Sequence, residues 1–480
     1  MSGEEDYRRF SKHFTACPGQ AATVVRVQKM DGDRVIHAGP MPPLEHCQWV
    51  FAILHGLAYT NGELSSPNYH PSGNFMADNN PVATTFEQSV RRRKKSGKRL
   101  AGKVVVQILP ALEKGGVERG TIEMADAVIR EGGRAVVISN GGQLVSRLLR
   151  LGGEHYDLPV HTKNPLKWFF IRRHVRDVLV KTGADIVHIR SRAPAWIALP
   201  VAKAMKIPVV TTIHGRLRRV NPFKKIYNSI MMRGDRVIAI SNYIYRMVME
   251  QFPYVADRLL TIHRGVDIDI FSPENVTAQR VIRISNMLDI PDDCAIVILP
   301  ARPTDWKGAD LLIEAASKLN DINFVVLLIG AADGTDDYQQ GLIKMIKSHD
   351  LSGKVRLCQG VDDMAAALML ADVVLMPSRS PEPFGRVAIE ASAMGCPVIA
   401  FNHGGAAESI LPGVTGWLAE PVSATSLAEC LKEAITMKPR ARMTLSKKAR
   451  EFVGKNFNST KMCDETIGIY EKLMARRRRA

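Results

Sequence analysis

ADVVLMPSRSPEPFGRVAIEASAMGCPVIAF, residues 371–401, carries a complete strand–loop–helix–strand unit. DVVLMPS and PVIAF are apolar almost without interruption. They lack the in–out alternation of a half-wet sheet, so each reads as a strand buried on both faces. The loop between strand and helix is rich in proline and holds Glu382, and Phe384-Gly385 leads into a helix of small residues, ASAMG. Working outward, runs of the same kind recur with helical patterns between them. KVVVQIL (103–109), RAVVIS (134–139), DIVHI (185–189), PVVTT (208–212) and RVIAI (236–240) form one set. AIVILPA (295–301), NFVVLLIG (323–330), KVRLCQG (354–360), DVVLMPS and PVIAF form a second. Alternating strands and helices in two sets of five predict an α/β protein of two facing, Rossmann-like, doubly wound domains.

The link between the domains is expected at HRGVDIDIFSP, where Gly265 and Pro273 punctuate the chain. This divides the 480 residues into a first domain, 100–270, a second, 271–460, and a C-terminal segment, 461–480. That last segment reads as a helix packing back toward the first domain, followed by an arginine tail. Residues 1–99 show weak periodicity, are rich in Asn, Pro, Ser and Gly over 61–85, and end in RRRKKSGKR. They read as a mostly disordered extension.

Composition narrows the function classes. The acidic, polar start MSGEEDYRRF does not resemble a secretory leader. The best candidate span, Leu44 to Thr60, is interrupted by Glu45, His46 and His55, so no membrane-crossing helix is expected. Cys17, Cys47, Cys294, Cys358, Cys396, Cys430 and Cys463 are scattered with no C-x-x-C pair, which suits a reduced cytoplasmic setting and argues against zinc or dithiol sites. The net charge of +17 is uneven. Residues 100–270 hold 27 Lys and Arg against 14 Asp and Glu, whereas 271–460 hold 19 against 22. Such a split points to an anionic partner facing the first domain, although a solvated basic surface also fits it.

The motifs sit just after strands, where doubly wound sheets bind ligands. Gly115 and Gly116 follow the first strand. Glycines there let backbone N–H groups approach a phosphate or sugar at a helix start, although a tight turn would use them equally. Arg302 and Lys307, in ARPTDWKG, flank a turn after the first strand of the second set and suit a diphosphate. Glu382 and Glu390 stand eight apart, one in the loop and one about two turns into the helix, so both are expected to face one cleft. Asp267 and Asp269 form a D-x-D, but inside the linker-like GVDIDIF, and no metal site is expected.

In order along the chain, ADIVHIRSR, TTIHG, RVIAISNYI, GVDIDIF, ADVVLMPS, Glu382-x7-Glu390 and GGAAESI resemble the family-4 glycosyltransferases of the GT-B fold. The likeness runs from about Leu100 to Met474. That family includes lipopolysaccharide-core, phosphatidylinositol-mannosyl and glycogen-synthase-like enzymes. The resemblance implies a retaining transfer of a hexose-type sugar from a nucleotide-sugar donor, with neither metal nor cofactor. It implies that Gly115 and Gly116 border the donor phosphates and that His214 reaches the donor sugar. Arg302 and Lys307 would neutralise the leaving diphosphate. Glu382 would hold sugar hydroxyls beside the backbone N–H groups of Phe384 and Gly385, Glu390 the ribose, and the Val361 backbone the base. Glu382 and His214 are the expected catalytic pair.

Arg190, Arg192 and Arg216, in the basic half, are candidates for the acceptor. Lys167 to Arg176 joins Trp168, Phe169 and Phe170 to four cations, and Arg216 to Lys225 adds five more after His214. Such segments suit an anionic lipid surface, and equally a helix with a basic outer face. The expected acceptor is therefore a glycan or lipid-linked glycan of the cell envelope, such as lipopolysaccharide, met on the inner face of the cytoplasmic membrane. A sugar-nucleotide epimerase of the same fold is the alternative, disfavoured by TTIHG and the glutamate pair. A basic nucleic-acid-binding or scaffold protein is another, but no RNA-recognition or helix-turn-helix signature appears, and no nucleic acid is expected.

Overall fold

A computed structural model describes residues 98–479, apart from 114, 218–220 and 332–336, together with four strands nearer the N-terminus. Those strands pair antiparallel: β1 (Val24–Met30) with β2 (Asp33–Gly39), and β3 (Ala58–Thr60) with β4 (Glu63–Ser65). They fall in the stretch read from sequence as an unstructured extension. The residues joining each pair are Asp31-Gly32 and Asn61-Gly62, dipeptides that favour two-residue hairpins, a local signal that the weak overall periodicity obscured. Most of the apolar stretch Leu44 to Thr60, the basic run Arg91 to Lys95, and Arg218 and Arg219 lie outside the described residues.

The rest forms two parallel sheets. The first contains β5 (Val104–Ile108), β6 (Arg134–Ser139), β7 (Glu154–Asp157), β8 (Ile186–Ile189), β9 (Val209–Ile213), β10 (Arg236–Ala239) and β11 (Leu259–Thr261). Their order is β11-β10-β9-β8-β5-β6-β7. The helices between them are α1 (Gly116–Arg130), α2 (Val145–Arg150), α3 (Pro165–Thr182), α4 (Arg192–Ala204), α5 (Pro222–Ser229) and α6 (Asn242–Gln251). The second sheet contains β12 (Ala295–Pro300), β13 (Phe324–Ala331), β14 (Val355–Gln359), β15 (Val373–Met376), β16 (Val398–Phe401) and β17 (Gly416–Ala419), ordered β14-β13-β12-β15-β16-β17. Its helices are α7 (Ala278–Leu288), α8 (Ala309–Ala316), α9 (Asp337–Ser348), α10 (Met364–Leu370), α11 (Arg386–Ala393), α12 (Ala424–Ile435) and α13 (Pro439–Asn456); α14 (Ser459–Arg479) follows.

Local chemistry explains the boundaries. Helix α3 starts where the Asn164 side chain accepts from the Leu166 amide, with proline in the first turn, and ends at Gly183 in the left-handed conformation. Ser241 caps α6 by accepting from Ile244 N. The strands carry the buried side chains the sequence promised: every residue of β5, β8, β9, β15 and β16 is buried. The chain reverses direction across each sheet between β5 and β8 and between β12 and β15, leaving one topological switch point per domain.

The chain crosses between the domains twice, and the crossings lie side by side. Val266 N donates to Phe457 O at 2.8 Å, and Ser459 N donates to Val266 O at 2.9 Å. Gly265 makes this approach possible, since a Cβ there would sit 2.4 Å from Ser459 Cα. Phe384, Phe452 and His263 pack around Phe457 at the junction edge to face, and His263 lies tilted against Phe384. One core of buried side chains runs without a break from the first sheet into the second. After the second crossing α14 lies on the first domain, where Met462, Ile467, Tyr470 and Leu473 join the core formed by Val105, Leu109 and Ile122. Tyr470 is fully buried and its hydroxyl is hydrogen-bonded to His188 Nδ1 at 2.6 Å, while His188 Nε2 is hydrogen-bonded to Thr212 Oγ1 at 2.7 Å.

Replacing Tyr470 by Phe keeps the ring but leaves His188 Nδ1 buried without a partner. Such a loss costs about 1–3 kcal/mol. Chemical denaturation of Y470F should show a lower unfolding midpoint, and an unchanged midpoint would refute the role given to this hydrogen bond.

Candidate active site

Both switch points carry residues singled out from the sequence. At the first, Gly115-Gly116 opens α1 after β5 and Arg190 and Arg192 follow β8; His214 follows the adjoining strand β9. At the second, Arg302 and Lys307 follow β12, Glu382 lies beyond β15, and Gly385 caps α11. Val361 follows β14. The N-termini of α1 and α11 adjoin across the cleft: a Cβ on Gly116 would lie 3.5 Å from Arg386 Cδ. Each presents unpaired amides and the positive end of its helix.

In the second domain Glu382 is buried, and its Oε1 accepts from Lys307 Nζ at 2.7 Å and from Ser378 Oγ at 2.6 Å. Lys307 Nζ also lies 4.0 Å from the centroid of the Trp306 ring, a cation–π contact that fixes the ammonium from a second side. The loop is held by His403 Nε2 donating to Ser378 O at 2.8 Å and by Gly405 N donating to Glu382 O at 2.7 Å. Gly385 has φ +95°, and a Cβ on it would meet Ala406 Cβ at 2.8 Å. Only glycine suits that position, and it turns the backbone from the loop into α11. The Phe384 side chain is buried against Phe457 and His263, so it anchors the loop to the domain junction while its backbone borders the cleft.

Arg302 is exposed at the end of β12, apart from the Lys307–Glu382 pair. Val361 is half-buried on a loop made rigid by its neighbour Asp363, which caps α10 and takes both arms of Arg280 at 2.7 and 2.8 Å. Asp269 N donates to Asp267 Oδ1 at 3.1 Å, so the D-x-D forms a local turn inside the crossing segment.

In the first domain Arg190 is buried and donates from Nε to Gln107 Oε1 at 2.9 Å, and Arg192 donates to Asn228 Oδ1 at 3.1 Å. Arg216 is half-buried on the loop that follows His214. His214 Nε2 is buried with no hydrogen-bond partner in the protein. Burial, reinforced by Arg264, Arg190 and His188, pulls the His214 pKa well below the usual histidine range, so the ring is neutral at pH 7. A neutral imidazole can donate to or accept from a hydroxyl group without bringing a charge.

Apart from Glu390, the charged residues that tie the halves together were not singled out from the sequence. Glu390 Oε1 accepts from Arg386 Nε at 3.3 Å and lies 3.7 Å from Arg119 Nη1 of the first domain. Arg386 Nη2 reaches the other way, to Glu123 Oε1 on α1 at 3.3 Å. Arg264, from the crossing segment, donates to Gly116 O and braces the glycine pair. Burial, opposed in part by Glu123, lowers the Arg264 pKa to about 10. A second clamp joins α6 to the second domain. Glu408 accepts from the amides of Asn242 and Tyr243 at 2.9 and 2.6 Å and from His263 Nε2 at 3.0 Å, while Ser241 Oγ donates to Pro383 O at 2.6 Å. The available sequence signals were helical spacing, with Arg119–Glu123 and Arg386–Glu390 each four apart, and the glutamate in GGAAESI.

Comparison with known proteins agrees with this architecture. Residues 114–270 match the family described as Glycosyltransferase Family 4, and residues 282–452 match Glycosyl transferases group 1. A solved glycosyltransferase from Rickettsia africae ESF-5 is 34% identical, with a TM-score of 0.73, and the match covers 78% of this chain and 98% of that one. The D-inositol 3-phosphate glycosyltransferase of Mycolicibacterium smegmatis is 28% identical over 249 residues, covering 51% of this chain and 55% of that protein. Anabaena HepE, solved with UDP and glucose, is 20% identical with a TM-score of 0.67 over 77% of this chain and all of that one, a likeness of fold.

Glu408 provides a test of the clamp. Burial alone would raise its pKa, but the bonds from His263 and the two α6 amides outweigh burial and hold it below the ordinary 4.5. A depressed carboxylate contributes stability that is fully present above the unfolded pKa and is lost as pH falls through the folded one. E408Q should therefore be less stable than the parent at pH 7, by about 1–3 kcal/mol, and the gap should close as pH drops below 4.5. A gap independent of pH between 3 and 7 in denaturation measurements would contradict the assignment.

Proposed function

The chain belongs to the group 1 glycosyltransferases, and from that premise we propose that it transfers a hexose-type sugar, with retention, from a nucleoside-diphosphate donor to a lipid-linked glycan of the cell envelope. The observation that carries this reading is the Lys307–Glu382 pair at the second switch point. A diphosphate entering there draws Lys307 toward its own charge and leaves Glu382 free to accept from sugar hydroxyls. Arg302 adds a second cation at the strand end. The N-termini of α1 and α11 point partial positive charge at the same place.

When the glycosidic bond breaks, negative charge grows on a phosphate oxygen while the sugar takes on oxocarbenium character. Fixed cations and helix ends stabilise that oxygen without rearranging, and they take the role a metal would otherwise have. Departure and attack on one face of the sugar preserve the anomeric configuration, with the leaving phosphate accepting the proton of the acceptor hydroxyl. His214 and Glu382 hold the sugar, Glu390 the ribose, and the Val361 backbone the base. Arg190, Arg192 and Arg216, on the opposite wall, meet the acceptor.

The acceptor is assigned to a membrane because of exposed apolar side chains on two helices of the first domain. Leu166, Phe169 and Phe170 on α3 are 79, 75 and 69% exposed, and Phe223 and Ile226 on α5 are 82 and 58% exposed. Trp168, Trp196 and Tyr227 stack in series at 5.6 and 6.4 Å between ring centroids, linking α3 to α5 through α4. Lys167, Arg173, Arg176, Lys224 and Lys225 are exposed among them. Apolar side chains that enter the headgroup layer, ringed by cations, suit peripheral attachment to anionic lipid. No helix among the described residues is long and apolar enough to cross a membrane.

Two measurements test the reading. In a thermal-shift screen with UDP-, GDP- and ADP-sugars, one donor should raise the unfolding midpoint, since ligand at a hundred times its Kd stabilises by about 2.7 kcal/mol. With that donor and EDTA present, transfer should persist. E390A should weaken donor binding by about ten- to a hundredfold, and E382A should chiefly lower kcat. No shift with any donor, or negligible effects of both substitutions, would overturn the assignment. For the membrane, a protein lacking residues 1–98 and 475–480 should still bind anionic vesicles at low salt. It should be released at 1 M salt, where the Debye length is about 3 Å, and F169D/F170D/F223D should abolish binding. Binding that survives this triple change would refute the proposed face.

A further inference from the structure

The assignment of Glu390 to the ribose leaves open how a buried carboxylate on α11 is correctly turned. Glu390 is 5% exposed, and its Oε1 is bonded by Arg386 Nε, one helical turn earlier on the same face. Arg386 is itself nearly enclosed. Its Nη2 donates to Glu123, a residue of α1 in the other domain. Gly116 lies beside the path of Arg386, close enough that a Cβ there would be in van der Waals contact with its Cδ at 3.5 Å. Glu123 is held in turn by the positive charge of Arg386, Arg264 and Arg147, which outweighs its burial and keeps its pKa below the ordinary carboxylate range. The two carboxylates more than offset the effect of burial on Arg386. The contacts therefore form one line of alternating charge, Glu123–Arg386–Glu390, from the first domain to the ribose glutamate. Arg119 closes on Glu390 from the first domain as well.

We propose that Arg386, backed by Glu123, is a positioning residue for Glu390, so that ribose recognition in the donor domain depends on a carboxylate of the acceptor domain. The planar guanidinium fork bonds one carboxylate with Nε and the other with Nη2, a geometry that a lysine ammonium does not supply. Removing Glu123 lets the fork turn, and Glu390 loses the orientation that accepts from the ribose hydroxyls. Opening the cleft separates Glu123 from Arg386 and has the same effect. Nucleotide binding and domain closure are thereby coupled, since whichever state holds Glu390 correctly is the state that binds ribose better.

This inference rests on the role given to Glu390, and its test separates the two. The full-length protein is titrated calorimetrically with UDP, GDP or ADP, whichever follows from the donor screen, and with the 2′,3′-dideoxy form of the same nucleotide. The quantity read is the ratio of the two dissociation constants, to which unfolded protein contributes nothing. The parent should prefer the ribonucleotide by about tenfold or more, and E390Q should lose that preference. R386Q and E123Q should lose most of it as well, and R386Q/E390Q should fall no further than E390Q alone. If E123Q does not fold, R386Q carries the test. A preference unchanged in E390Q overturns the ribose assignment, and this proposal with it. A preference lost in E390Q but kept within about twofold of the parent in R386Q overturns the coupling alone.

Discussion

Everything at the cleft depends on two backbone segments running side by side between the domains. Val266 bonds on both sides of Asn458, to Phe457 and Ser459, and Gly265 is there because no larger residue leaves room for the Ser459 backbone. A single linker would leave the domains free to rotate. Two paired crossings, sealed by Phe384, Phe457 and His263, restrict them to a narrow range of closure. Phe384 belongs to this seal and also to the loop that carries Glu382, so the geometry of the site and of the junction are set by the same packing.

The second organising feature is electrostatic. Carboxylates and cations in the cleft are paired with one another: Glu382 with Lys307, Glu390 with Arg386 and Arg119, and Glu408 with His263. Burying such groups unpaired would cost several kcal/mol each, and the pairing offsets that cost. It also keeps the site responsive, because an anion competes for the cations and hydroxyl groups compete for the carboxylates. The fully buried His188–Tyr470 contact is of another kind. It lies beneath the site, holds α14 against the first domain, and exchanges with nothing.

Much of the site was legible because doubly wound sheets place ligands at fixed points of their topology. Once the strands were recognised, Gly115, His214, Lys307 and Glu382 fell after strand ends; Gly115, Lys307 and Glu382 border a switch point, and His214 follows β9, the strand next to β8. The misses have physical causes. Glu123 and Arg264 look like surface charges in sequence, because helical spacing says nothing about which helix will pack opposite. Arg386 stood inside the motif that was read most closely, but its partner lies 263 residues away. The hairpins near the N-terminus were overlooked because short polar strands carry little periodicity, although Asp-Gly and Asn-Gly stood between them.

By itself the sequence determined the class of fold, its two domains, the family and the residue types at each strand end. Apolar runs of strand length, glycines at helix starts and the spacing of Glu382 and Glu390 are local properties, and local rules suffice to read them. Only the tertiary structure decided which charges meet across the cleft, which aromatic residues seal the junction and which stand exposed. Those depend on the angle at which the two domains close. That angle follows from the packing of Gly265 against Ser459 and of Phe384 against Phe457, contacts between residues far apart in the chain.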